Sequence, residues 1–146
     1  MIYKKIISKI NSKERQLFVL IDPDKVSSNG IKEKMALCNK HNVDIILIGG
    51  SITHKGIDNI IQQIKEHTNI PVVLFPGNML QLSDYADGIL LLSLISGRNP
   101  DYLISKHVDS AMFLKQSRLE VISTGYILIG NGNKTSSVEY ISNTKP

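Results

Sequence analysis

The feature that most constrains this chain is a repeated exchange between short apolar runs and longer stretches with helical spacing. Leu17-Phe18-Val19-Leu20-Ile21 has no polar face, as a parallel strand buried on both sides requires. Ile31 to Lys40 follows with a helical pattern, and Asp44 to Ile48 is the next apolar run, ending in Gly49-Gly50. Ile57, Ile60, Ile61 and Ile64 recur at helical spacing before a third run, Pro71 to Phe75. Gly88 to Leu92 is a fourth strand, Pro100 to Lys115 reads as one helix, and Leu119 to Ile129 carries a fifth strand with a bend expected at Gly125. Strands alternating with helices in this way specify a parallel α/β sheet.

The polar and glycine-rich segments fall at the carboxyl ends of these strands: Asp22-Pro23-Asp24-Lys25, Gly49-Gly50-Ser51, Pro76-Gly77-Asn78 and Ser93 through Pro100. Chemistry in parallel α/β folds is built at that end. No GxGxxG follows the first strand, so a (β/α)8 barrel fits better than an open dinucleotide-binding sheet. A complete barrel takes about 250 residues, against 146 here. The expectation is therefore α/β, the N-terminal part of a TIM barrel, with residues 1–146 as one partial domain. It would hold four βα units and a fifth strand, incomplete at its C-terminus, with a complete smaller α/β domain as the alternative.

Composition narrows the class further. Hydrophobic residues make up 42% and charged residues 21%, which excludes disordered and collagen-like chains. Mean hydropathy is −0.02 and the apolar runs, Ile89 to Leu92 among them, are far short of a membrane span. With no signal-peptide pattern and a single cysteine, Cys38, a cytoplasmic protein is expected. The net charge of +4 suits an anionic ligand. Aromatics are only 5% with no Trp, which argues against nucleic acid as a partner. Lys4, Lys5, Lys9, Lys13 and Arg15 crowd the N-terminus, where Ile2, Ile6, Ile7 and Ile10 recur at helical spacing. That segment reads as a helix packing its isoleucines on the domain, with peripheral membrane contact as the alternative.

Each strand-end segment has a chemical and a plain reading. Asp22 can offer carboxylate oxygens to Mg²⁺, a hard cation that keeps several waters, and Pro23 biases Asp22 toward extended geometry. The plain reading is a turn with Asp24 as a local cap, and Lys25 is either a phosphate partner or a solvated lysine. Gly49 and Gly50 allow close backbone approach, and their consecutive amides can form an anion nest. Ser51 can join a metal or phosphate shell, or cap the next helix. Asn78 reads as a cap first and a ligand contact second. Ser93, Ser96, Arg98 and Asn99 can contact a diphosphate, Arg98 through its planar fork, while Asn99-Pro100 is also an ordinary helix start. Tyr126 is a core tyrosine or a ligand contact. His41, His54, His67 and His107 form no zinc pattern, and Cys38 reads as a core thiol.

Leu20-Ile21-Asp22-Pro23-Asp24-Lys25, Ile48-Gly49-Gly50-Ser51, Phe75-Pro76-Gly77-Asn78, Ser93-Leu94-Ile95-Ser96-Gly97-Arg98-Asn99 and Ser123-Thr124-Gly125-Tyr126-Ile127-Leu128-Ile129 occur in that order. Together they resemble the geranylgeranylglyceryl phosphate synthase family, in the wider group that includes heptaprenylglyceryl phosphate synthase, and in its Bacteroidetes-type branch. The resemblance implies a modified TIM barrel that is a Mg²⁺-dependent prenyltransferase of phospholipid biosynthesis. It would join a prenyl diphosphate to the 3-hydroxyl of sn-glycerol 1-phosphate, forming an ether bond and releasing diphosphate. It further implies Asp22 and Ser51 at the metal, while Lys25, Gly49, Gly50, Asn78, Ser93, Arg98, Asn99 and Tyr126 remain the substrate candidates read from the residues themselves. A homo-oligomer is implied at full length. The lysine that some members carry two residues before the aspartate is Leu20 here. The family's Tyr-x-Glu-type strand and glycine loops, which bear the glycerol-phosphate site and the catalytic carboxylate, are expected beyond Pro146, so the chain alone is expected to be inactive. The alternatives are another phosphate-binding TIM-barrel enzyme and a non-catalytic half-barrel.

Overall fold

A computed structural model describes residues 1–50, 57–77 and 81–129, together with residues 139, 142 and 143. The elements run α1 (Ile2–Asn11), β1 (Phe18–Ile21), α2 (Ser28–Lys40), β2 (Ile45–Ile48), α3 (Asp58–His67), β3 (Val72–Leu74), β4 (Gly88–Leu94), α4 (Ser105–Gln116) and β5 (Glu120–Tyr126). All five strands pair in parallel in the order β1-β2-β3-β4-β5. Sequential order with parallel pairing is the arrangement of a barrel wall, in agreement with the expected fold class. Residues 75–87 join β3 to β4 with no α-helix among the described residues, where the third of four βα units was expected.

Side chains alternate across the sheet with period two, and the two faces form separate cores. On one face, Ile46, Ile48, Val72, Leu74 and Ile89 pack with Ile31, Met35 and Cys38 of α2 and Ile61 and Ile64 of α3. Each of these isoleucines, fully buried, contributes on the order of 1.5–3 kcal/mol. The Cys38 thiol lies in this layer, and burial pushes its pKa up, so the core-thiol reading holds. On the other face, Ile45, Val73 and Ile122 meet Ile2 of α1, with Ile6, Leu47 and Leu90 packed around them.

Helix α1 lies across the amino ends of the strands because two acidic residues there hold it. The Glu120 carboxylate accepts the amides of Ile2 and Tyr3, the latter at 2.9 Å, and so satisfies the open first turn of α1. Asp44, just before β2, receives the Lys9 ammonium on Oδ1 and the Leu17 amide on Oδ2 at 2.8 Å. Asp87, just before β4, does the same for α3, pairing with Lys65 at 2.7 Å and accepting the Val72 amide at 2.8 Å. The amino rim is thus built for attachment, which leaves the carboxyl rim for chemistry. Isoleucine packing in α1 is as expected for Ile2 and Ile6, whereas Ile7 is half-buried outside both cores and Ile10 is exposed.

Three expectations need correction. Strand β1 is not buried on both faces: Phe18 is 40% and Leu20 is 50% exposed, and neither belongs to the core on the Ile45 face of the sheet. The segment after Pro100 is not one helix. A 3₁₀ turn, Pro100–Tyr102, is followed by Leu103 and Ile104 and then by α4. Nor does β5 bend at Gly125; its ladder with β4 continues through Ser93–Gly125 to Leu94–Tyr126.

Candidate active site

The carboxyl ends of the strands enclose an apolar cleft of about 250 Å³. Leu20 from β1, Leu92 and Leu94 from β4 and Tyr126 from β5 form its walls with Phe75, Pro76 and Gly77 after β3. Gly50 after β2, Tyr102 and Ser142 complete it. The Phe75 and Tyr126 rings meet edge to face, with centroids 6.0 Å apart. Leu92, Leu94 and Tyr126 reach the cleft because they share one face of the parallel ladder.

Asp22 stands two residues beyond Leu20, at the carboxyl end of β1. Its Oδ1 accepts the Asp24 amide at 3.1 Å, so Asp22 caps the 3₁₀ turn Pro23–Lys25, where the turn reading had placed Asp24 in that role. Its Oδ2 lies 2.9 Å from the Lys25 ammonium. The Lys25 hydrogen bond, helped by the Asp24 amide and opposed by partial burial, holds the Asp22 carboxyl below the ordinary carboxylate range. The side chain remains 29% exposed, so the carboxylate is ionised and reachable. Lys25 is correspondingly exposed and pairs with Asp22.

Among the described residues no three His, Cys, Asp or Glu side chains converge as a metal cage. A single carboxylate with spare lone pairs fits Mg²⁺, which takes one or two protein carboxylates and completes its shell with water and substrate phosphate oxygens. It does not fit zinc or a structural calcium. Ser51 and Asn78, expected at the metal and the substrate, lie outside the described residues.

The glycine turn after β2 departs from expectation. Gly49 N–H donates to Ile21 O at 3.2 Å, and Gly50 N–H donates to Gln81 Oε1 at 3.1 Å. With both amides engaged inside the protein, the expected anion nest does not form. Gly49 is required for a different reason: a Cβ there would sit 2.0 Å from Phe75 O, so only glycine lets the β2 and β3 ends close together.

The segment after β4 is also sorted by the structure. Ser93 follows the strand alternation onto the face opposite Leu92 and Leu94 and does not line the cleft. Ser96 Oγ accepts the Leu128 amide at 2.7 Å. Arg98 is exposed and its amide donates to Ser142 O at 3.0 Å. Asn99 caps the 3₁₀ turn through the Asp101 amide at 3.1 Å, as the helix-start reading expects.

Two residues at this rim carry no motif in the sequence. Tyr102 lines the cleft and donates its hydroxyl to Gly77 O at 3.2 Å; burial pushes its pKa up, keeping it a neutral donor. Gln81 is wholly buried and bonds the loops after β2 and β3. Only the polar character of Gln81 within an otherwise apolar neighbourhood could have drawn attention to it.

The profile of the PcrB family matches residues 9–145. The chain is 50% identical over 146 residues to the geranylgeranylglyceryl phosphate synthase of Chitinophaga pinensis, covering 99% of this chain and 58% of that one. It is 44% identical over 146 residues to the protein of that name from Flavobacterium johnsoniae, covering 99% of this chain and 60% of that one. Among solved structures, wild-type GGGPS from Thermoplasma volcanium superposes with a TM-score of 0.85 at 26% identity, covering 97% of this chain and 56% of that chain. The (S)-3-O-geranylgeranylglyceryl phosphate synthase from Thermoplasma acidophilum, solved with its substrate sn-glycerol-1-phosphate, shares the fold with a TM-score of 0.82 at 24% identity, covering 93% and 55%. The resemblance and the partial-barrel fold drawn from the sequence agree with these matches. The chain spans about 58–60% of the length of these two curated relatives.

Proposed function

This chain belongs to the PcrB family, and on that premise we propose that it carries the prenyl-donor part of a geranylgeranylglyceryl phosphate synthase site. The reaction of the whole site transfers a prenyl group from its diphosphate to the 3-hydroxyl of sn-glycerol 1-phosphate. The observation that carries this reading is the apolar cleft bounded by Leu20, Phe75, Leu92, Leu94 and Tyr126, with an ionised carboxylate, Asp22, just beyond Leu20 on β1. An apolar slot beside a charged rim is complementary to an amphiphile with a long hydrocarbon tail and a diphosphate head.

In this reading the cleft walls take the isoprenoid chain, exclude water from it and fix its direction. Asp22, with Ser51, would hold Mg²⁺ on the diphosphate. When bound, Mg²⁺ supplies neutralisation of the negative charge that grows on the leaving diphosphate. Lys25 and Arg98, both exposed at the rim, add cationic charge toward the same head group, and Asn78 contributes polar contact. The bond between the prenyl C1 and its diphosphate oxygen breaks as the acceptor's 3-hydroxyl oxygen bonds to C1. The hydroxyl proton leaves and diphosphate departs. The acceptor site and the group that takes the proton are assigned to the part of the synthase architecture not matched by this chain.

Calorimetric titration of the chain with geranylgeranyl diphosphate tests the reading. The expected result is binding in Mg²⁺ that weakens about tenfold or more in excess chelator and in Asp22→Ala. Binding of a small phosphate other than sn-glycerol 1-phosphate, with no affinity for the prenyl diphosphate, would instead favour a different phosphate-binding barrel enzyme.

A further inference from the structure

Parallel strands stop exchanging backbone hydrogen bonds where their ladder ends, and the loops that follow must be held by something else. The β2–β3 ladder ends at Ile48 and Leu74, with a last bond from Phe75 N–H to Ile48 O at 2.8 Å. Beyond that point the Gln81 carboxamide takes over. Its Oε1 accepts Gly50 N–H and Gly77 N–H, each at 3.1 Å, and its Nε2 donates to Gly50 O at 2.7 Å. One side chain therefore satisfies both backbone polar groups of Gly50 and ties them to Gly77.

The connection extends to both sides. Gly49 N–H reaches Ile21 O at the end of β1. Gly77 O accepts the Tyr102 hydroxyl at 3.2 Å and the Lys106 ammonium at 3.3 Å. Gln81 is the central link of a hydrogen-bonded chain from β1 to α4 that includes the cleft-lining residues Gly50, Gly77 and Tyr102. It has 0% exposure, so its bonds do not compete with water.

We infer that Gln81 is a positioning residue: it extends the β2–β3 pairing by side chain, and so fixes Gly50 and Gly77 where they border the cleft. It reaches no ligand itself. That the clamp serves ligand binding rests on the proposed donor site; the clamp itself does not.

Backbone amide exchange followed by NMR on the full chain tests the clamp without any ligand. In the wild-type protein the Gly50 and Gly77 amides are expected to exchange slowly, as bonded amides do. Exchange at the rate of open chain at both would overturn the clamp. In Gln81→Met these two amides are expected to speed up about tenfold or more, while Ile46 and Val72 keep their protection. Equal acceleration at all four would mean that Gln81 acts only on global stability, and no change at Gly50 and Gly77 would remove its role. Gln81→Glu keeps an acceptor for both amides but, ionised, cannot donate to Gly50 O, and is expected to restore part of the protection.

Titration of the same proteins with geranylgeranyl diphosphate and Mg²⁺ reads the functional consequence. Affinity is expected to fall about tenfold in Gln81→Met, with Gln81→Glu between it and wild type. Unchanged affinity in Gln81→Met would overturn the positioning role even if the amides are released. If wild type fails to bind the donor while Gly50 and Gly77 remain protected, the donor-site reading falls and only the clamp stands.

Discussion

Phe75 and Tyr126 meet with 67° between ring planes, although Phe75 follows β3 and Tyr126 ends β5. The pair reaches across β4 and, with Leu92 and Leu94, makes the apolar wall of the cleft. Two aromatic rings held edge to face present a rigid surface that costs little entropy to order against a flexible hydrocarbon chain.

Tyr126→Ala is therefore expected to weaken geranylgeranyl diphosphate binding by about tenfold, from loss of ring area equivalent to roughly 1.5–3 kcal/mol when buried. Tyr126→Phe keeps the ring pair and is expected to bind as wild type does. Calorimetry on the two variants checks this, and equal weakening in both would point to the hydroxyl instead of the ring.

Asp22 sets the expected response to pH. The Lys25 hydrogen bond outweighs the opposing effect of burial and, with a further contribution from the Asp24 amide, holds the carboxyl below the ordinary value of 3.8. Its depressed value means that the charged form is complete above that range and is lost only as pH falls through the lowered value. Mg²⁺-dependent donor binding should accordingly show no titration of Asp22 between about pH 5 and pH 8. A step in that interval that disappears in Asp22→Asn would contradict the assignment.

The attachment of α1 predicts a stability effect remote from the cleft. Removing the Glu120 carboxylate leaves the Ile2 and Tyr3 amides without their acceptor. Glu120→Ala should cost about 1–2 kcal/mol in urea unfolding, the usual range for a lost helix cap. Asp44 adds an acid-sensitive contribution, because Lys9 and the Leu17 amide hold its carboxyl below the ordinary value. That contribution is present above the unfolded value near 3.9 and is lost as pH falls through the lower folded value. Unfolding midpoints measured at pH 6 and pH 3 should converge between wild type and Asp44→Asn at the acid end.

Gly49→Ala should be severe. The new methyl carbon would meet the Phe75 carbonyl carbon at 2.7 Å as well as its oxygen, and both belong to backbone that cannot rotate away. A loss of more than about 3 kcal/mol is expected, visible as a drop of Tm or as failure to accumulate folded protein.

The strands, their parallel order and the amphipathic α1 were legible because periodicity and turn residues report directly on local structure. Apolarity in Leu17–Ile21 identified a strand but could not say what covers Phe18 and Leu20, since burial is decided by elements distant in the chain. Helical spacing across Pro100–Lys115 hid the break at Leu103 and Ile104, because a 3₁₀ turn with proline at its start has the same sequence signature as a helix start. Ser93 looked like a rim residue by composition, and only the strand register separates it from Leu92 and Leu94. Gln81 stands out locally only as a polar residue between Leu80 and Leu82, and its role is hidden because its partners Gly50 and Gly77 come from two different loops. Asp22 is readable as a metal candidate from its place after β1, whereas its pairing with Lys25 and its acceptance of the Asp24 amide depend on how the turn Pro23–Lys25 folds back.

The central claim, that the cleft at the carboxyl ends of the strands receives the prenyl chain, is tested most directly by photo-crosslinking. A prenyl diphosphate carrying a diazirine on its terminal isoprene unit is irradiated with the chain in Mg²⁺, and the labelled peptides are sequenced. Label on residues of the cleft wall, Phe75, Leu92, Leu94 or Tyr126, competed away by unlabelled geranylgeranyl diphosphate, is the predicted result. Competed label confined to α1 and the amino rim, or label that geranylgeranyl diphosphate does not compete, would contradict it.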